Sequence, residues 1–109
     1  MGVFLSAITS GDRGITMNLY AIMRRDGFTD GAALEAASKR SKSVGDEMEG
    51  DLRWIRSYVL DEGEGALGTI CIYQAISEEA IRKHAAQANL PVDEVILIAD
   101  TAIGRPDTS

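Results

Sequence analysis

The chain has 109 residues, 17 acidic and 11 basic, for a formal net charge of −6. That length suits one domain and leaves no room for two, and so acidic a surface repels phosphate backbones, so no nucleic-acid partner is expected. With 45% hydrophobic and 26% charged residues, the composition is that of a globular domain with a modest core and excludes a disordered chain.

Cys71 is the one cysteine. A lone thiol forms no intrachain disulfide, so nothing implies an oxidising compartment. No run reaches the roughly 18 apolar residues of a membrane span. The start, Met1 to Ala7, lacks the positive charge and apolar length of a signal peptide. A cytoplasmic protein without membrane partners is expected.

Residues 1–16 form an N-terminal extension: a short apolar run, then Ser10-Gly11-Asp12-Arg13-Gly14, which is loop chemistry. The extension is either disordered or adds an edge strand through Val3 to Ile8. The domain proper spans 17–103. It opens with Met17 to Arg24, apolar at nearly every position, as in a strand buried on both faces. Asp26-Gly27 breaks that strand. Thr29 or Asp30 then caps a helix running to about Met48, with Leu34, Ala37, Ser41, Val44 and Met48 as its thin inner stripe. The basic run Lys39, Arg40 and Lys42 reads as a solvated helix face.

Asp51 to Leu60 is the second strand, and the acidic Asp61-Glu62-Gly63-Glu64-Gly65 a flexible hairpin loop. The third strand is Ala66 to Ala75. Ser77 caps a second helix, with Glu78 and Glu79 in the first turn where the helix dipole favours negative charge. It runs to about Asn89, and Pro91 stops it. Val92 to Asp100 is the last strand, and 104–109 a frayed tail.

The order strand, helix, strand, strand, helix, strand is the split βαβ arrangement, so the expected fold is α+β, ferredoxin-like βαββαβ: a four-stranded antiparallel sheet with two helices on one face. Strands apolar on both sides leave the second face in need of a cover. A second copy of the chain, making a dimeric α/β barrel or a higher homo-oligomer, is one cover; the N-terminal extension is the other.

His84, the one histidine, falls in the arc of Ala80, Ile81, Ala85 and Ala88 and should face the sheet. It is read either as a metal ligand or acid–base group at a cavity, or as a core histidine with satisfied nitrogens. Cys71, mid-strand, is either a small buried hydrophobe or a thiolate donor near His84. Trp54, Arg56 and Tyr58 fall on one face of the second strand, as core or as the wall of a cavity in which the arginine stacks or holds a carboxylate. Tyr20 and Tyr73 lie on central strands and need hydroxyl partners if buried. Walker, CxxC, HExxH and GxSxG motifs are absent, and no catalytic group is assigned.

The stretch from Trp54-Ile55-Arg56-Ser57-Tyr58 through Cys71-Ile72-Tyr73-Gln74-Ala75 to Glu78-Glu79-Ala80-Ile81-Arg82-Lys83-His84-Ala85 and Leu90-Pro91-Val92-Asp93 resembles a family of small bacterial domains of unknown function. Its named association is nickel binding, in small actinobacterial proteins with a dimeric ferredoxin-like fold. The resemblance covers about Met17 to Asp100. It implies the same dimer and fold, with nickel or another divalent transition metal as the cofactor. It raises His84 as a metal ligand, since imidazole suits nickel, and makes Cys71, Tyr58 and Tyr73 neighbours lining the same cavity, with Cys71 the second candidate ligand. The chain departs from a metal-handling profile in having no His-rich tract. Three functions therefore stand as expectations: a small dimeric metal-binding protein; a dimeric α/β-barrel enzyme acting on a small organic molecule, with His84 as acid or base beside Tyr58 or Tyr73; and a structural or regulatory partner without a site.

Overall fold

The computed structural model describes residues 16–105; the extension expected over 1–16 and the tail over 104–109 fall largely outside the described residues. Six elements run in order: β1 (Asn18–Phe28), α1 (Gly31–Glu47), β2 (Leu52–Gly63), β3 (Ala66–Ala75), α2 (Glu78–Ala88) and β4 (Glu94–Leu97). The strands form one antiparallel sheet in the order β2-β3-β1-β4. This is the expected ferredoxin-like α+β arrangement. No helix of the described residues is long and apolar enough to cross a membrane.

The helices begin where side chains can take up free amides. Asp30 accepts from the Ala33 N–H at 2.9 Å, and Ser77 from the Ala80 N–H at 3.1 Å, each relieving an amide without an intrahelical partner. Asn89 ends α2 in the left-handed conformation at φ 57°. Arg40 reaches across from α1, its Nε donating to the Ala88 carbonyl at 2.8 Å and its Nη2 to the Asn89 carbonyl at 3.2 Å. A cation thus satisfies carbonyls at the negative end of α2. The basic run of α1 is therefore not merely a solvated face: Arg40 ties the helices together, while Lys42 makes an exposed pair with Asp46.

Both helices lie on one face of the sheet. Its core is formed by Tyr20, Ile22, Leu52, Tyr73 and Ile81, packed with the alanines of α2. On the other face Ala21 pairs with Ile72 and Met23 with Ile70. These side chains stay partly exposed, and Tyr58 and Ile96 beside them are 43% and 41% exposed.

Besides the last strand, which spans only Glu94–Leu97 where Val92 to Asp100 was expected, three local features depart from the expected pattern. β1 does not stop at Asp26-Gly27 but continues to Phe28 through an irregularity, with Asp26 at φ 50°. The hairpin is pinned where a flexible loop was expected. β2 runs on to Gly63, and the turn closes with positive φ at Gly63, Glu64 and Gly65. Two parallel 2.8 Å bonds join Glu62 to the Arg25 guanidinium, and the Asp26 amide adds a third at 2.9 Å. The Arg25 bonds first, then the Asp26 amide, hold the Glu62 carboxyl down to about 2.

The third departure is a bulge in β2 at Ile55, between Trp54 and Arg56. One extra residue reverses the phase of the rest of the strand. Trp54 stands opposite Tyr73, Ser57 opposite Cys71 and Val59 opposite Thr69, all toward the helices. Arg56 stands opposite Ile72 and Tyr58 opposite Ile70, on the face away from them. Trp54 therefore does not share a face with Arg56 and Tyr58, as strict alternation predicts.

Gly68 makes the pinned hairpin possible. A Cβ there would run into the Glu62 carboxylate and stand 2.7 Å from the Arg24 carbonyl oxygen. Gly68→Ala should therefore push Glu62 off Arg25 and cost about 1–3 kcal/mol of stability, the usual range for overpacking, read as a lower midpoint in urea. An unchanged midpoint would mean that the hairpin relaxes freely.

Candidate functional site

Between α1 and the helix-facing side of the sheet lies a chamber of about 230 Å³. β3 contributes Thr69, Cys71 and Tyr73, alternate residues of one strand face. The bulge in β2 brings in Trp54, Ser57 and Val59, and α1 closes the space with Leu34, Ser38 and Ser41. From β1 comes Arg24, in phase with the core residues Tyr20 and Ile22.

Polar side chains on β2 and β3 form a directed chain. The Trp54 indole N–H donates to Ser57 Oγ at 2.9 Å, the Ser57 hydroxyl to Cys71 Sγ at 3.0 Å, and the Cys71 thiol to Thr69 Oγ1 at 3.4 Å. These bonds fix the Trp54 ring and hold the one thiol as a buried, bonded group. Arg24 is different. It is only 2% exposed, yet its Nε and Nη2 have no hydrogen-bond partner. Among the described residues, the lining of the chamber contains no carboxylate.

A second cavity of about 280 Å³ shares Ser41, Trp54 and Tyr73 with the first and adds His84, Asp46 and Glu49. His84 is 1% exposed and faces the sheet as its helix arc predicts. Its Nε2 donates to the Ser41 carbonyl at 3.0 Å, which sets the tautomer. Its ring lies 5.5 Å from that of Tyr73, tilted by 58°, and the Tyr73 hydroxyl shares a 3.0 Å hydrogen bond with Ser41 Oγ. Burial pushes His84 below its ordinary value; the Ser41 bond opposes this and the Arg24 charge adds to it. Burial likewise pushes the Tyr73 hydroxyl up, against its bond to Ser41.

The residues singled out from sequence thus separate. Trp54, Cys71 and Tyr73 line the first chamber, and His84 lines the second. Arg56 and Tyr58 line neither and lie on the opposite face, with the Arg56 guanidinium 3.4 Å from the Tyr58 hydroxyl. Among the described residues no three of His, Cys, Asp and Glu gather closely enough to hold a metal ion. Arg24 and Ser57 are the site residues that sequence patterning missed. A signal for Arg24 was present, since its spacing from Tyr20 and Ile22 puts it in the inward phase of β1.

The histidine generates a pH prediction. Its folded value lies below the unfolded 6.5, so the unfolded chain binds the proton more readily. Stability from this group is full above about 6.5 and is lost as pH falls below that toward the depressed folded value. Urea midpoints of the wild type should drop between about pH 7.5 and about pH 5, and His84→Gln should remove that part of the drop. Parallel profiles for the two proteins would place the sensitivity elsewhere.

Comparison with known proteins places this geometry in a family. The crystal structure of SCO4226 from Streptomyces coelicolor A3(2) superposes with a TM-score of 0.62 at 18% identity, covering 77% of this chain and 99% of that one. At that identity the likeness is one of fold. No curated protein matches the chain. The family described as nickel responsive protein SCO4226-like matches residues 20–98, from near the start of β1 to just past β4. The chain belongs to this SCO4226-like family.

Proposed function

We propose that the protein is a small homodimeric binding protein that takes a small organic molecule into the chamber beneath α1. The observation that carries this reading is the make-up of the chamber: largely apolar walls with a few hydroxyls and one buried guanidinium. That is the usual composition of a small-molecule site. At about 230 Å³ the space is below the roughly 300 Å³ at which drug-sized pockets begin, and suits one ring or a short chain. Binding is favoured over catalysis because the Nε2 of His84 is engaged by a backbone carbonyl and Tyr58 lies on the far face of the sheet. A cytoplasmic setting is supported by the single unpaired thiol.

The dimer is supported by the helix-free face, where Ala21, Met23, Ile70 and Ile72 form an apolar surface flanked by Tyr58 and Ile96. Contiguous apolar patches mark interaction sites, and a sheet face pairing with its own copy buries the same patch on both partners. The wild type should sediment as a dimer at low micromolar concentration. Ile72→Glu, at the centre of the face, should weaken self-association at least about tenfold while leaving the circular dichroism spectrum intact. A monomeric wild type would overturn the dimer.

The ligand site is tested at its rim. A small-fragment screen read by fluorescence of Trp54, the one tryptophan of the chain, should yield binders, and Ser38→Phe should abolish their signal. Binders that persist unchanged in Ser38→Phe would move the site out of the chamber.

The family description favours a second reading, in which the protein takes up nickel. One protomer does not present a fitting donor set: Cys71 and His84 line different cavities and no ligand triad gathers among the described residues. Calorimetric nickel titration of metal-stripped protein should therefore give no tight heat signal, in the wild type or in His84→Ala. Tight binding lost in His84→Ala would instead establish the metal reading, with Asp46 and Glu49, which line the cavity of His84, as the next donors to test.

A further inference from the structure

We propose that Arg24 is the anchor of a carboxylate site, and that the ligand of the chamber beneath α1 is a small organic monocarboxylate. The inference rests on the chamber being the ligand site and goes on to name the chemistry it selects. Arginine is charged at any physiological pH, and a buried charge is costly unless it is paired. Arg24 is only 2% exposed, and two of its nitrogens have no partner. Natural interiors seldom keep such donors idle.

The two idle nitrogens are Nε and Nη2. They form the side edge of the guanidinium, whose parallel N–H groups match the two oxygens of a carboxylate. Arg25 shows the same recognition one residue along, where its Nε and Nη2 grip the two oxygens of Glu62 at 2.8 Å each. Arg25 meets its carboxylate within the chain. Arg24, at the preceding position, is one of the chamber's lining residues; its matching edge is unpartnered and covered, so a carboxylate reaches it once the side chain turns into the chamber.

The remaining chemistry of the chamber narrows the anion. Arg24 is the one charged residue among its lining residues, so a single negative charge is balanced and a second is not. A phosphate monoester carries about −1.5 to −2 at neutral pH and would bring uncompensated charge into an apolar space. A monocarboxylate brings one charge, and its organic part can lie against Trp54, Phe28 and Leu34. Thr69 and Ser41 hydroxyls stand in the same lining to meet further polar atoms.

The experiment compares acids with their neutral amides on wild-type protein: acetate, butyrate and benzoate against acetamide, butyramide and benzamide, with inorganic phosphate, at a pH well above its second pKa, as the doubly charged control. Trp54 fluorescence and the shift in melting temperature are the readouts. At least one acid should bind about tenfold or more tightly than its amide, phosphate should be weaker than that acid, and Arg24→Met should erase the difference between acid and amide. Ligand-free Arg24→Met should also melt no lower than wild type, because it removes an unpaired buried charge. Amides that bind as tightly as the acids would overturn the carboxylate assignment and leave the chamber as a site for neutral molecules. Phosphate binding more tightly than every acid would overturn it in favour of another anion, and no response to any probe would overturn both the assignment and the chamber reading. If Arg24→Met does not fold, the comparison of acid with amide on the wild type decides alone.

Discussion

Tyr73 lies on the inward face of β3 with its ring against His84 of α2 and its hydroxyl on Ser41 of α1. Ser41 in turn accepts the His84 N–H through its backbone carbonyl. Three residues from three elements thereby close a small polar triangle inside an apolar core. Each polar group taken from water has a partner, which is the condition for placing it there at all. The triangle sets how α1 sits over the sheet, and the space left between α1 and the Thr69–Cys71–Tyr73 face of β3 is the chamber. Both cavities of the site have Tyr73 and Ser41 in their walls.

The chamber contrasts with this satisfied triangle. Trp54, Ser57, Cys71 and Thr69 pass hydrogen bonds along a line, and beside them Arg24 keeps two donors without partners. Small domains have little stability to spare, so an unpaired buried cation is a burden on the folded chain. Function commonly resides in such local departures from good packing, because a group that has met all its partners within the chain has nothing left to offer a ligand. Cys71 and the Nε2 of His84 are cases of the opposite kind. Both are chemically able groups, and both are engaged by neighbours. Membership of a nickel-responsive family and the absence of a donor triad among the described residues are compatible statements: a family name describes relatives, whereas coordination is a property of donors gathered in one place.

The two faces of the sheet carry different duties. One supports both helices and the chamber; the other presents apolar side chains with no described element over them. The bulge at Ile55 links the two. By shifting the phase of β2 it turns Trp54, Ser57 and Val59 toward the chamber and Arg56 and Tyr58 toward the face away from the helices. A single extra residue thus decides which side chains of β2 line the chamber and which lie on the face away from the helices.

Much of this architecture was legible in the chain itself. Asp30 and Ser77 mark the helix starts because a short oxygen-bearing side chain is needed there. The arc of Ala80, Ile81, His84, Ala85 and Ala88 turns His84 inward, and the order of elements selects the sheet topology, since few connections are sterically open to it. Those are local rules of capping, period and connection, and they act wherever the residues occur. The site depended on what lies far apart in sequence. The Ile55 bulge arises from pairing β2 with β3, so alternation read along β2 alone assigned Arg56 and Tyr58 to the wrong face. Glu62 is a loop acid until the fold brings it to Arg25, 37 positions away. Arg24 and Arg25 are neighbours of one residue type, and only tertiary packing gives one of them a carboxylate partner and leaves the other buried with its donors open. Local residue patterns specify the elements, their order and the inward histidine; which polar groups are satisfied emerges only on folding, because hydrogen-bond partners are set by distance in space and not by distance along the chain.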